Sequence, residues 1–129
     1  MLANRNVMAT IAVTNLEAAK QFYGGKLGLQ LLAGGEEGEK MGVLNYQSGT
    51  TLLVVYVSQF AGTNKATSAT WAIGHEFDKV MQALRDKGVV FERYDMPGMV
   101  FENGAHVAGD FKGAWFKDPD GNILHILNH

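Results

Sequence analysis

His75, His106, His125 and His129 are the side chains of this 129-residue chain best suited to proton transfer or metal binding near neutral pH. His125 alternates with Leu124 and Ile126 in Ile123-Leu124-His125-Ile126-Leu127, a strand-like run. If those two leucine-type neighbours pack under helices, the imidazole faces the other side of the sheet. With an ordinary pKa of about 6.5, a lone imidazole there suits general-base chemistry or ligand contact. His75 and Glu76 read as the cap and first turn of a helix, His106 lies in a glycine-rich stretch, and His129 is terminal. His106 and His125 together, without a positioned carboxylate, make a poor metal site. The chain has no cysteine, which excludes disulfides, thiolate metal sites and a cysteine nucleophile. It also lacks a dinucleotide-binding glycine motif, a phosphate loop and a Gly-x-Ser-x-Gly elbow.

Apolar chemistry is better represented. Phe101, Phe111, Met96 and Met99 cluster in the segment from Asp95 to Lys112, which carries Pro97, Gly98, Gly104 and Gly109. Adaptable thioethers on a permissive backbone suit a lid over an apolar ligand, and equally a dimer contact. Glu92, Tyr94 and Asp95, just before it, offer polar groups for the mouth of a pocket or an exposed strand edge. Trp71 and Trp115, like Phe101 and Phe111, are aromatic enough to line a pocket for a flat ligand, but they fall mid-strand and read more simply as packing beneath helices.

The elements that position these residues form a repeat. Val7 to Val13 is a β-rich run, Asn15 a good helix N-cap, and Leu16, Ala19, Phe22 and Tyr23 one apolar helical face ending at Gly24-Gly25. Leu29 to Leu32 reads as a strand, and Met41 to Tyr46 with Thr51 to Val57 as a hairpin. The acidic run Glu36-Glu37-Gly38-Glu39 reads as a solvated loop. The same order recurs: Ala69 to Ile73 as a strand, Phe77, Val80, Met81 and Leu84 as a helical face, Lys87-Gly88 as its end, and Val89 to Phe91 as a strand. Two further strands, around Trp115-Phe116 and Ile123-Leu124, flank a turn at Asp118-Pro119-Asp120-Gly121. Ile73 lies sixty residues after Val13 and Gly121 seventy-two after Gly49, so twelve extra residues fall between strands, assigned here to a 95–112 loop. The reading is α+β: two tandem βαβββ modules, residues 1–60 and 68–129, joined by a 61–67 linker in a single 1–129 domain.

With 47% hydrophobic and 19% charged residues, the composition is that of one globular domain. A net charge of −2 argues against general affinity for nucleic acid or anionic membrane. No segment approaches a bilayer span and the start lacks a signal-type apolar run, so a cytoplasmic location is the default expectation.

Two stretches resemble a known family. Val13-Thr14-Asn15-Leu16-Glu17-Ala18-Ala19-Lys20-Gln21-Phe22-Tyr23, followed by Lys26-Leu27-Gly28-Leu29, is similar to the first-helix signature of the vicinal oxygen chelate superfamily. Phe116-Lys117-Asp118-Pro119-Asp120-Gly121-Asn122 is similar to its closing hairpin. That superfamily includes glyoxalase I, bleomycin-resistance proteins and extradiol dioxygenases. The resemblance implies mixed sheets that curl around a cavity. It also implies a divalent metal held by one residue from the first and last strand of each module, usually His or Gln, and Glu. Met8, Leu53, Ser68 and His125 fall in those four places, with His125 where the pattern's Glu would stand.

A thioether, a hydrocarbon and a lone hydroxyl do not hold Ni²⁺, Zn²⁺, Fe²⁺ or Mn²⁺, and the flanking residues supply no strong ligand. The expectation is therefore a small-molecule-binding protein without a metal cofactor. It holds an apolar or aromatic ligand against Met8, Thr10, Leu53, Val55, Ser68, Thr70, His125, Met96, Met99 and Phe101. The alternative is a lyase, isomerase or dioxygenase-type enzyme that uses His125 as its catalytic residue, with a divalent metal if the ligand positions are misplaced. Family likeness further implies a homodimer, and neither nucleic acid nor membrane is expected as a partner.

Overall fold

The computed structural model describes every residue, Met1–His129. Contacts divide the chain into two compact units, Met1–Thr63 and Asn64–His129. Each is a mixed sheet with helical segments, an α+β arrangement. No helix is long and apolar enough to cross a membrane.

In the first unit, β1 (Ala9–Val13) pairs in parallel with β4 (Thr51–Val57), which pairs antiparallel with β3 (Val43–Ser48), and β3 with the short β2 (Gln30–Leu31). The register fixes the faces. Ile11 stands beside Val55, Leu44 opposite Val55, and Tyr46 opposite Leu53. These residues, with Val13, are almost wholly buried, as are Ala19, Phe22 and Tyr23 of the helix above them. The Tyr23 and Tyr46 rings lie 6.2 Å apart across this core.

That helix starts as the sequence indicates. Asn15 caps it, its Oδ1 accepting from the Ala18 N–H at 2.9 Å ahead of α1 (Leu16–Ala19). It does not stop at Gly24-Gly25. The chain widens into a π-helical stretch, Lys20–Lys26, and the end comes only where Leu27 N–H donates to the Phe22 carbonyl. Gly28, at φ +73°, is the residue that turns away. The acidic run is likewise a short helix, α2 (Glu36–Lys40), rather than a loop, and Glu39 pairs with Lys20.

The second unit opens with β5 (Thr67–Ala72), followed by a 3₁₀ turn at Gly74–Glu76 and α3 (Phe77–Asp86). Gly88, at φ +87°, closes α3: Val89 N–H donates to the Leu84 carbonyl at 3.0 Å and Gly88 N–H to that of Arg85 at 2.9 Å. The sheet runs β5, β10 (Ile123–Leu127), β9 (Phe111–Lys117), β8 (Ala105–Ala108) and β7 (Val100–Glu102), and β6 (Phe91–Glu92) also pairs with β9. Phe77, Met81 and Leu84 of α3 are buried together with Ala114, Phe116, Leu124 and Ile126 of the sheet.

Half of the expected 95–112 loop is thus a hairpin. Asn103 and Gly104, at φ +52° and +82°, turn β7 back into β8. Positive φ at both central residues is the turn whose twist matches that of paired strands. The Asp118 hairpin forms as expected. The Asp118 carboxylate accepts from Asp120 N–H at 3.0 Å, Asn122 N–H at 2.8 Å and Asn122 Nδ2 at 2.8 Å.

Candidate functional site

Chemistry-bearing side chains of the second unit share the sheet face opposite α3. On β10, Leu124 and Ile126 point into the core at 0% and 2% exposure, so His125 points the other way. Its register partners are Thr70 on β5 and Trp115 on β9. The imidazole stacks on the Trp115 indole with centroids 4.1 Å apart and planes 17° from parallel. Its Nδ1 lies 3.3 Å from Thr70 Oγ1, and Trp115 Nε1 donates to Thr67 Oγ1 at 3.1 Å.

His106 joins this face through the unexpected hairpin. On β8 it stands opposite Phe101 and opposite Gly113. It is 1% exposed, and its ring meets Trp115 edge-on at 5.1 Å, Phe101 at 5.0 Å and Tyr94 at 6.1 Å. Its Nε2 sits between the Tyr94 backbone N–H, at 3.0 Å, and the Tyr94 carbonyl, at 3.1 Å. Glu92, opposite Trp115, is engaged by Lys117 at 3.4 Å.

Three buried polar atoms here have no hydrogen-bond partner in the protein: Tyr94 Oη, His106 Nδ1 and His125 Nε2. Burying such a group unsatisfied costs about 1–3 kcal/mol. Burial lowers the His125 pKa below its ordinary value, and neighbouring His106 adds to the shift, so the imidazole is neutral at neutral pH. Beside this cluster, a cleft of about 360 Å³ is lined by Arg93, Tyr94, Met96, Met99, Phe101 and His106. The Arg93 guanidinium lies over the Phe101 ring, 5.5 Å from its centre.

The expected lining residues therefore divide. His125 and Thr70 are adjacent, and Met96, Met99 and Phe101 share the cleft. Leu53 and Val55 do not line a binding face: they point into the helix-side core of the first unit at 2% and 0% exposure. The error comes from the hairpin turns. The first core residue follows Gly49 by four positions but Gly121 by three, and a one-residue slip flips a strand's faces. Thr10 lies on the exposed face of β1, and Met8 precedes that strand, 48% exposed. Ser68 is displaced by a bulge: Ile123 pairs with Thr67 and Leu124 with Ala69, leaving no β10 residue opposite it.

His106, Tyr94 and Trp115 belong to the cluster, whereas the sequence offers Tyr94 only for a pocket mouth, His106 only as a poor metal partner of His125, and Trp115 more simply as packing beneath helices. Val100-Phe101-Glu102-Asn103-Gly104-Ala105-His106-Val107 held the signal for His106. Asn-Gly between alternating residues marks a two-residue hairpin that sets His106 opposite Phe101.

The donor set does not fit a divalent metal. No three His, Cys, Asp or Glu side chains converge anywhere in the chain. Two imidazoles with Glu92 held by Lys117 leave the carboxylate of a two-His, one-carboxylate site unfilled.

A sequence profile of the Glyoxalase/Bleomycin resistance protein/Dioxygenase superfamily matches residues 6–126. No curated protein matches the chain. Among solved structures, a glyoxalase family protein from Enterococcus faecalis is 23% identical, covers 98% of this chain and 99% of its own, and superposes with a TM-score of 0.70. A glyoxalase/dioxygenase from Nostoc punctiforme is 20% identical over 98% of this chain and 92% of its own, also at 0.70. The fosfomycin resistance protein FosX from Mesorhizobium loti is 13% identical over 100% and 94%, at 0.66. At these identities the likeness is one of fold.

Proposed function

Since the chain belongs to the Glyoxalase/Bleomycin resistance protein/Dioxygenase superfamily, we propose that it is a small-molecule-binding protein that works without a catalytic metal. It holds a flat, mainly apolar ligand against the aromatic face of its second unit. The observation that supports this reading is the set of three unpartnered buried atoms, Tyr94 Oη, His106 Nδ1 and His125 Nε2, among Phe101 and Trp115. Aromatic walls supply area for a planar molecule and the polar atoms supply orientation, the usual division of labour in small-molecule sites. Met96 and Met99 at the neighbouring cleft give adaptable walls.

Thermal melting and tryptophan fluorescence with indole, naphthalene and phenol test the reading, alongside metal analysis of protein purified without chelator. The expected result is a melting point raised by at least one aromatic, quenching that disappears in Trp115→Phe, and metal far below one per chain. Metal near one per chain, lost on His125→Ala, would overturn it.

One observation favours a second reading, an enzyme that uses His125 as general base. Its imidazole is held in the basic, neutral form and keeps Nε2 unpartnered. Turnover of a bound compound that stops in His125→Gln while binding persists would select this reading.

A further inference from the structure

Gly113 lies in the middle of β9, and its backbone does not take the positive φ that calls for glycine. A mid-strand glycine weakens a strand by about 0.5–1 kcal/mol relative to alanine. Space explains its presence. A Cβ built on Gly113 would lie 2.9 Å from His125 Nε2 and 2.9 Å from the edge of the Phe111 ring, closer than real Cβ atoms come. Glycine in a strand often marks such a close approach.

Two strands bring imidazoles to this point. From β10, His125 leans across β9 over Gly113; from β8, His106 is Gly113's direct partner, and directly opposed residues have Cβ positions about 4.5–5.5 Å apart. The remaining nitrogens are held by their own neighbours, Nδ1 of His125 by Thr70 and Nε2 of His106 by the Tyr94 backbone. His125 Nε2, packed against Gly113, and His106 Nδ1, on the residue paired with it, are both left unpartnered.

Resting on the ligand-binding reading above, we propose that Gly113 is a specificity-determining residue. It lets His125 and His106 grip one hydroxyl of a neutral aromatic ligand, which displaces the Phe111 ring edge. A hydroxyl suits the pair because it both donates and accepts. Each imidazole can meet it in either sense. The Thr70 hydroxyl can donate to His125 Nδ1 or accept from it, and Tyr94 presents both an N–H and a carbonyl to His106 Nε2. An aryl ether of the same shape accepts only, and because one of its oxygen lone pairs is drawn into the ring it satisfies one imidazole well but not both.

Phenol and anisole are the probes, titrated against the full chain with tryptophan fluorescence and ¹⁵N imidazole shifts as readouts. Phenol is expected to bind about tenfold tighter than anisole, the worth of one buried hydrogen bond, and to shift His106 Nδ1 and His125 Nε2. Gly113→Ala is expected to abolish that preference, and His106→Leu, which keeps the strand's bulk, to do the same should Gly113→Ala fail to fold. Equal binding of the two probes to the unaltered protein, or a phenol preference that survives both variants, overturns the hydroxyl site and leaves the ligand-binding reading standing. Failure of indole, naphthalene, phenol and anisole alike to bind overturns both.

Discussion

The imidazole of His125 lies almost flat on the indole of Trp115, its register partner, at 4.1 Å between ring centres. Opposed residues of an antiparallel pair have their side chains side by side, and two flat rings fill that geometry by stacking. The same contact removes the imidazole from water, the larger of the two causes that lower its pKa.

That shift makes stability depend on pH in a definite direction. The unfolded chain protonates His125 near 6.5 and the folded chain only at lower pH, so between those values the unfolded state binds more protons. The contribution of His125 is complete above about pH 6.5 and is lost as pH falls through the depressed folded value. Urea unfolding at pH 7.5 and pH 5.5 should show a lower midpoint at the acid pH, and His125→Gln should remove part of that difference. An equal pH dependence in the variant would contradict the assignment.

Trp115 carries two roles separable by substitution. Trp115→Phe keeps a ring against His125 but loses the 3.1 Å bond to Thr67, a loss of about 1 kcal/mol. Trp115→Ala also removes the stack and the edge contacts to His106 and Tyr94, and should cost about 3 kcal/mol. Chemical denaturation of both variants checks the order; equal losses would mean that the stack contributes nothing.

Asp118 organises the last hairpin from within. Its carboxylate is 5% exposed and accepts three hydrogen bonds. Asp118→Ala should lower stability by about 2–4 kcal/mol by leaving buried N–H groups unmatched. Asp118→Asn, which keeps the shape but weakens the acceptor, should lose less. Unfolding midpoints of the two variants give the comparison.

Gly104 tests the hairpin that carries His106. At φ +82°, alanine is strained, and its Cβ would meet the Arg85 guanidinium at 3.2 Å and Met81 and Phe91 at 3.3 Å. Gly104→Ala should destabilise by about 1–3 kcal/mol and perturb the His106 ring signals in NMR. Unchanged His106 shifts would separate the turn from the site.

The fold was legible because its signals are local. Asn15 caps a helix, Gly88 ends one, Asp118 to Gly121 form a tight turn, and apolar faces repeat in the same order in both halves. The site was legible only in part. His125 is readable from alternation with Leu124 and Ile126, since a strand has two sides. Trp115 was assigned to the helix side, although Ala114 and Phe116 take those places. Its face is fixed by pairing with His125, a relation between strands that no window along one strand contains. His106 was hidden because the glycines and proline of 95–112 were read together as one loop, with no hairpin assigned at Asn103-Gly104. Leu53 and Val55 were misassigned because counting from one glycine to its apparent equivalent ignores a one-residue difference between the turns.

The bulge opposite Ser68 has a consequence for anyone wishing to equip this scaffold with a metal. Copying the first-strand ligand of a relative by repeat arithmetic would place the new donor at Ser68, the one residue of its strand's middle that faces no partner on β10. The residue next to His125 is Thr70, two positions on. A transplanted histidine or glutamate therefore belongs at Thr70, beside His125, whereas grafting by repeat arithmetic would set it across the register shift from its intended partner.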